Sequence, residues 1–377
     1  MKSKIISAYS IEDLIEEMDA IIGDELNPTL AFIYTSVAYD VRKLEAELHK
    51  YKFLVFGATT VGEVFANEEF GVNEVEESIV CMLVDINPDA IALKLLSVDG
   101  DNYHQIGRDI GDWAKSNFED SSIITATSGL MFDNDAYTQG ILSSGIVYAF
   151  GGAAGDDLIL KDTFVFSNQN FTNHGVVALA IDNSKIDVVG ARAFGWVGIG
   201  KEKIVTKASK NIVYEIDNKP AIDFYKTYLQ VTTIDMPQTG IEYPLEVIMK
   251  NTQVVYRAVL DINEEDGSLV FAGHVEEKSK VRISAPEGKG IIDHVENSIN
   301  KVVEENNNFQ ADIVLVFPCC SRKQVLGALT SREIEVAYGA AKAPLIGCFV
   351  YGEIGAFPGG YGFHNETFVT ALLKEKE

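Results

Sequence analysis

The chain has 377 residues, 47% hydrophobic and 23% charged, enough for a large core and long enough for two or more compact units. Its 56 acidic and 31 basic side chains leave a formal charge of -25 with no basic stripe to displace counterions, which argues against a nucleic-acid partner. The N-terminal run turns acidic too early for a signal peptide, and no stretch reaches the ~18 apolar residues of a membrane helix. The four cysteines show no paired framework. A cytoplasmic protein without membrane insertion is the expectation.

Residues 10–23 read as a helix capped by Ser10, with Ile11, Leu14, Ile15, Met18, Ile21 and Ile22 on one face. A strand over 30–34, a helix over 40–50 and a strand over 53–56 form one unit, which runs into the turn Gly57-x-x-x-x-Gly62-Glu63. Strands over 78–85 and 90–96 and a helix over 101–115 follow. A second unit has a strand at 123–127, a helix from about Asp135 and a strand at 146–150 entering Gly151-Gly152-Ala153-Ala154-Gly155-Asp156. From 164 to 215 the pattern is that of an antiparallel meander. The expected boundary lies within 216–240, past a helix at 219–228 and a polar stretch ending at Pro237, giving domains 1–215 and 216–377.

The second half opens with strands at 245–248, 254–260, 268–273 and 281–284, with a hairpin turn at 263–267 and a helix over 290–305. A third unit has a strand at 313–317, a polar tip from Pro318 to Arg322, a helix over 331–341 and a strand entering Gly347-x-x-x-x-Gly352-Glu353. The last strand spans 367–373. The fold expected is α/β in the mixed α+β sense. It has mixed sheets covered by helices, including a layered αββα arrangement, and repeated strand-helix-strand-glycine units.

Each unit ends in glycines followed by an acid: Gly62-Glu63, Gly155-Asp156 and Gly352-Glu353. Glycine permits positive φ and close approach of a backbone to a ligand or strand. Two readings follow: the turns build a site, or the glycines only turn the chain while the acids cap nearby amides. Polar tips at Thr59, Thr60, Cys319 and Arg322 favour the site. His364-Asn365 begins the last strand, and Glu353 and His364 are expected to face each other across a cleft. Cys319 and Arg322 supply a thiol and a cation that lowers a thiol pKa, although buried cysteine is commonly a small hydrophobe. Phosphate-loop, zinc-protease and nucleophile-elbow motifs are missing from the sequence.

At these residues the chain resembles the FIST family of sensory domains. Residues from about 28 to 215 resemble its N-terminal domain through the first two glycine turns, Gly195-Trp196 and Val205-Thr206-Lys207-Ala208. Residues from about 220 to 372 resemble its C-terminal domain through Cys319-x-x-Arg322, Gly352-Glu353-Ile354 and His364-Asn365-x-Thr367. The resemblance implies a ligand-binding module of bacterial or archaeal signalling that takes a small polar molecule such as an amino acid. It has no resident cofactor and passes its signal to a separate output protein. The ligand residues expected are Cys319, Arg322, Tyr351, Gly352, Glu353, His364 and Asn365, with Thr59, Thr60, Gly62, Glu63, Gly152 and Asp156 as the opposite wall. Glu353 would meet an ammonium and Arg322 a carboxylate. A haem-based gas sensor and an enzyme with a cysteine nucleophile are the alternative readings.

Overall fold

Leu30, Phe32 and Tyr34 alternate with Ala31 and Ile33, and all five are fully buried, so their strand is covered on both faces. The computed structural model describes every residue except 231, 233, 234, 250, 251, 359 and 377, and resolves this strand as part of a unit that occurs three times. The first unit comprises β1 (Lys2–Ala8), α1 (Ile11–Ile21), β2 (Leu30–Thr35), α2 (Val41–Leu48), β3 (Leu54–Thr59), β4 (Glu63–Asn67), β5 (Gly71–Val75) and β6 (Ile79–Asp85). The second repeats the order with β7 (Ile91–Ser97), α3 (Tyr103–Asn117), β8 (Ser121–Thr127), α4 (Asn134–Ser143), β9 (Ala149–Ala153), β10 (Val165–Phe166), β11 (Phe171–Thr172) and β12 (Gly175–Asp182).

The third unit is interrupted. After β13 (Ile186–Ala193) the chain builds β14 (Trp196–Ser209), β15 (Ile212–Ile216), β16 (Lys219–Pro220), α5 (Ala221–Leu229), α6 (Met236–Glu242), β17 (Leu245–Ile248), β18 (Val254–Arg257), β19 (Val259–Asn263), β20 (Ser268–Phe271) and β21 (Lys280–Pro286). The unit then resumes with α7 (Gly290–Glu305), β22 (Ile313–Pro318), α8 (Cys320–Leu326), α9 (Thr330–Ala341), β23 (Leu345–Cys348), β24 (Glu353–Ala356), β25 (Phe363–His364) and β26 (Phe368–Glu375).

Each unit forms a mixed sheet around one parallel pair, and each gives an antiparallel strand pair away. The orders are β1-β6-β2-β3-β10-β11, β7-β12-β8-β9-β24-β25 and β13-β26-β22-β23-β4-β5. The second unit thus lends β10 to the first, the third lends β24 to the second, and the first lends β4 to the third. The exchange begins at the glycine turns, where Gly62 at φ 121° sends the chain from β3 toward β23. Alternate residues of all three sheets, among them Tyr34, Phe56, Ile124, Phe150, Leu315 and Phe317, form one central core. The opposite faces are covered by helices: α1 and α2 on the first sheet, α3 and α4 on the second, α7 and α9 on the third. The inserted segment forms its own sheet, β18-β17-β21-β14-β15-β20-β19, with α5 packed on it.

The mixed-sheet expectation therefore holds, with three sheets rather than two sharing the core. Ser10 caps α1 by accepting from the Asp13 amide at 3.0 Å. The turn at 263–267 forms as read, closed by the Gly267 amide on the Asn263 carbonyl at 2.8 Å. The meander does not. Its strands β10, β12, β13 and β14 join four different sheets, because each strand's buried pattern is satisfied by distant partners rather than by chain neighbours. The polar stretch up to Pro237 falls partly on residues outside those described; α6 begins at Met236, within its end, and was not read from the sequence. Sheets also run across position 215, since β4 pairs β23 and β13 pairs β26.

Candidate functional site

The three glycine turns meet at the carboxyl ends of the parallel strands, where loops of such sheets carry ligands. The Gly155 and Asp157 amides donate to the Thr59 and Thr60 carbonyls at 2.9 and 3.0 Å, joining the second turn to the first. Val61 and Phe349 exchange bonds with the third turn, the Val61 amide to Phe349 O at 3.0 Å and the Phe349 amide to Gly62 O at 2.9 Å. The Ala153 and Tyr351 amides bind Gly352 O and Ala153 O at 2.8 and 3.0 Å. A Cβ at Gly155 would lie 2.8 Å from the Thr60 carbonyl carbon, so this packing needs glycine.

The three acids lie behind this junction. Asp156 accepts from the amides of Leu160, Lys161 and Asp162 at 3.0, 2.6 and 3.0 Å and from the Tyr351 hydroxyl, which fixes the loop after β9. Glu63 accepts from Ser78 at 2.5 Å and from Thr60, and burial raises its carboxyl to about 7 against those bonds. Glu353 accepts from the Thr367 amide and hydroxyl at 2.9 and 2.5 Å on one oxygen, while the other has no partner. Burial, with Cys319 nearby, pushes Glu353 well above the usual carboxylate range. Glu366, in the left-handed conformation at φ 62°, is raised to about 8 by burial. Neither of its oxygens makes a hydrogen bond of ordinary geometry, although Ser321 lies close enough to favour the charged form.

Beside the junction, between the second and third units and the inserted sheet, is a cavity of about 750 Å³. Its polar end is built by Asp133 to Asp135 at the start of α4, by His274 after β20 and by Asn365. Arg257 ties these together. Its guanidinium donates to Asp135 at 3.1 Å and to Asn365 Oδ1 at 3.4 Å, both pairs fully buried. Asp135 also accepts from Tyr361 at 2.5 Å and from the His274 amide at 3.0 Å. His274 Nε2 donates to Asp133 at 3.0 Å. Burial opposes both charges of that pair, but the bond and mutual attraction prevail, holding Asp133 below its ordinary value and His274 above. Asn365 Nδ2, in contrast, is buried on the cavity wall without an acceptor among the described residues. An orphaned buried donor costs about 1–3 kcal/mol unless a guest supplies the acceptor.

Of the residues expected to bind a ligand, Cys319, Tyr351 and Asn365 line this cavity. Arg322 is committed elsewhere. It donates to Glu333, to the Phe194 and Glu366 carbonyls at 3.2 and 2.9 Å, and to Ile291 O at 3.2 Å, and it is fully buried. Glu353 and His364 are cross-strand partners in β24 and β25 rather than opposite walls of a cleft. His364 is fully buried, held neutral by burial and by the charges of Arg192 and Arg257. Gly352 abuts the Phe363 ring and Gly152 the Val350 side chain. Thr59 and Thr60 bind within the scaffold, Thr59 accepting from the Phe164 amide of the second unit at 2.9 Å and Thr60 from the Gly62 amide of its own unit at 3.2 Å. Gly62, Glu63 and Asp156 stay in the scaffold beside them. Sequence reasoning missed Asp133, Asn134, Asp135 and Arg257; the acidic run at a helix start was the available signal for three of them.

The two alternative chemistries would draw on the thiol of Cys319 and the imidazole of His274, both on the cavity wall. Burial raises the Cys319 thiol well above its usual value, and its partner is Ser321 Oγ at 2.7 Å; among the described residues no histidine hydrogen-bonds it. His274 is the histidine on the wall, and its Nε2 is committed to Asp133. Among the described residues no cluster of three metal-ligating side chains occurs, and no helix is long and apolar enough to cross a membrane.

No curated protein matches the chain. Among solved structures, the crystal structure of a cyanuric acid hydrolase from A. caulinodans is similar at 9% identity and a TM-score of 0.36, covering 100% of this chain and 99% of that one. At that score the likeness carries no argument. The family models are more direct: the FIST N domain matches residues 29–219 and the FIST C domain residues 221–356. Between them they span the three glycine turns and the inserted sheet, and the chain belongs to the FIST family of sensory signal-transduction domains.

Proposed function

We propose that the cavity is the sensory site and that it takes a small molecule with an amino-acid-like head. The observation that carries this reading is the unpartnered Asn365 Nδ2, buried on the cavity wall one bond from the Arg257 guanidinium. A ligand carboxylate there accepts from Asn365, and its ammonium meets Asp133. The parts first assigned to Arg322 and Glu353 thus pass to Asn365 and to Asp133, with Arg257 holding Asn365 in place. Because the site lies between the inserted sheet and the three-sheet body, occupancy biases how the two pack, and that change is what an output protein reads.

A thermal-shift screen of the proteinogenic amino acids tests this. A binder at 100 times its Kd stabilises the protein by about 2.7 kcal/mol by mass action. Asp133→Asn and Asn365→Ala are expected to abolish the shift while each variant still melts cooperatively. A shift of unchanged size in both variants places the ligand elsewhere.

A further inference from the structure

The cavity is too large and too apolar for a free polar amino acid. At about 750 Å³ it falls within the ~300–1,000 Å³ range of sites that enclose drug-sized molecules. A solute of about ten non-hydrogen atoms would leave most of that space as water against apolar walls, which is unfavourable. Beyond the polar end, the walls are Phe132, Ile241, Val259 and Phe271.

The lining also changes with depth. Asn365 and Asp135 are 1% exposed, whereas Met131, Leu160 and Leu260 on the same cavity are 91%, 66% and 55% exposed. A soluble protein rarely gathers large apolar side chains at one opening unless something covers them. Backbone conformation holds them there. Met131, Leu158 and Leu160 adopt φ of 56°, 63° and 57°, a left-handed region that costs a non-glycine residue energy, and the loop carrying the two leucines is pinned by the three amide bonds to Asp156. The chain thus spends conformational strain to keep apolar groups at the rim.

We infer that the ligand is amphipathic, with its amino-acid-like head at Asn365 and Asp133 and a linear or aryl apolar body running outward to Leu160 and Leu260. This rests on the reading of the site given above and names the class of ligand within it. It accounts for the volume, the apolar walls and the exposed rim together, which a small polar ligand leaves unexplained.

The test is a calorimetric titration of the full chain with α-amino acids of increasing linear side chain, from 2-aminobutanoate through norleucine to 2-aminodecanoate. Affinity is expected to rise about fourfold per methylene, the equivalent of about 0.8 kcal/mol for each buried CH₂. Leu160→Asn, at an exposed position whose left-handed backbone asparagine tolerates, should weaken the long homologues and leave the short ones unchanged. Binding of short homologues with no gain along the series overturns the amphipathic ligand while the site stands. Equal weakening of short and long homologues by Leu160→Asn overturns the proposed direction of the tail. Absence of binding by every homologue and every proteinogenic amino acid overturns both readings.

Discussion

Buried acids set the behaviour of single residues in this protein. Glu63, Glu353 and Glu366 are each fully buried without a cation as direct partner, and burial keeps each protonated above its ordinary value. The sign of the consequence follows from linkage. Glu366 holds its proton in the folded chain up to about 8, against 4.5 for an ordinary glutamate, so the unfolded state binds fewer protons across that interval. Its stabilising contribution is complete below the unfolded pKa and is lost as pH rises through the folded one. Wild-type stability is therefore expected to fall from about pH 5 to about pH 8. Glu366→Gln should remove Glu366's share of that fall across the interval, gaining on the order of 3 kcal/mol at pH 8 relative to pH 5. Urea denaturation at the two pH values checks it; parallel slopes for variant and wild type count against it. Arg322 teaches the opposite lesson. In the sequence it was a cation beside a thiol, and only its partner Glu333, eleven positions on, shows that its charge is already spent within the fold.

At the scale of elements, the glycine turns were legible because glycine carries its own conformational signature. What they do was not. Gly151 sits at φ 145°, and a Cβ there would overlap the Thr125 carbonyl of the parallel neighbour β8. Gly339, inside α9, has open space around its would-be Cβ. Gly151→Ala is expected to cost about 2–4 kcal/mol through overlap and backbone strain. Gly339→Ala should instead gain about 0.5–1 kcal/mol by helix propensity and reduced unfolded-chain entropy. Midpoints of denaturant unfolding for the pair measure the contrast, and similar values for both would refute this assignment of roles. Most helices and strands were also readable, since α1, α7 and α9 lie within a residue or two of the spans their apolar faces predict. The strands from 164 to 215 were found but wrongly paired. Periodicity tells that a strand is buried, not against which strand.

The whole molecule is organised by exchange. Each of the three sheets is completed by a strand from another unit, so no unit owns a full sheet. The two family segments are consequently interlocked: removing residues after 215 takes β23 from β4, β24 from β9 and β26 from β13. A chain ending at residue 215 is expected to lack cooperative unfolding, because the inner faces of all three sheets share one core that it cannot close. Circular dichroism and amide dispersion by NMR test this, and a sharp transition with dispersed resonances would show that the first segment folds alone. The cavity is a product of the same arrangement, drawing its polar end from α4 of the second unit, Asn365 of the third and His274 of the insertion.

The sequence by itself determined the element types, the three repeats, the acidic balance and the family, since these reside in local periodicity, glycine placement and ordered motifs. Only the tertiary structure decided which repeated turns became scaffold and which polar groups face a ligand. Glu63, Asp156 and Glu353 occupy related places in three units, yet all three are turned into the fold, while Asp133 and Asn365, 232 positions apart, come to line one cavity through the strand exchange. Burial and charge neutralisation depend on partners distant in the chain, and no local pattern encodes them.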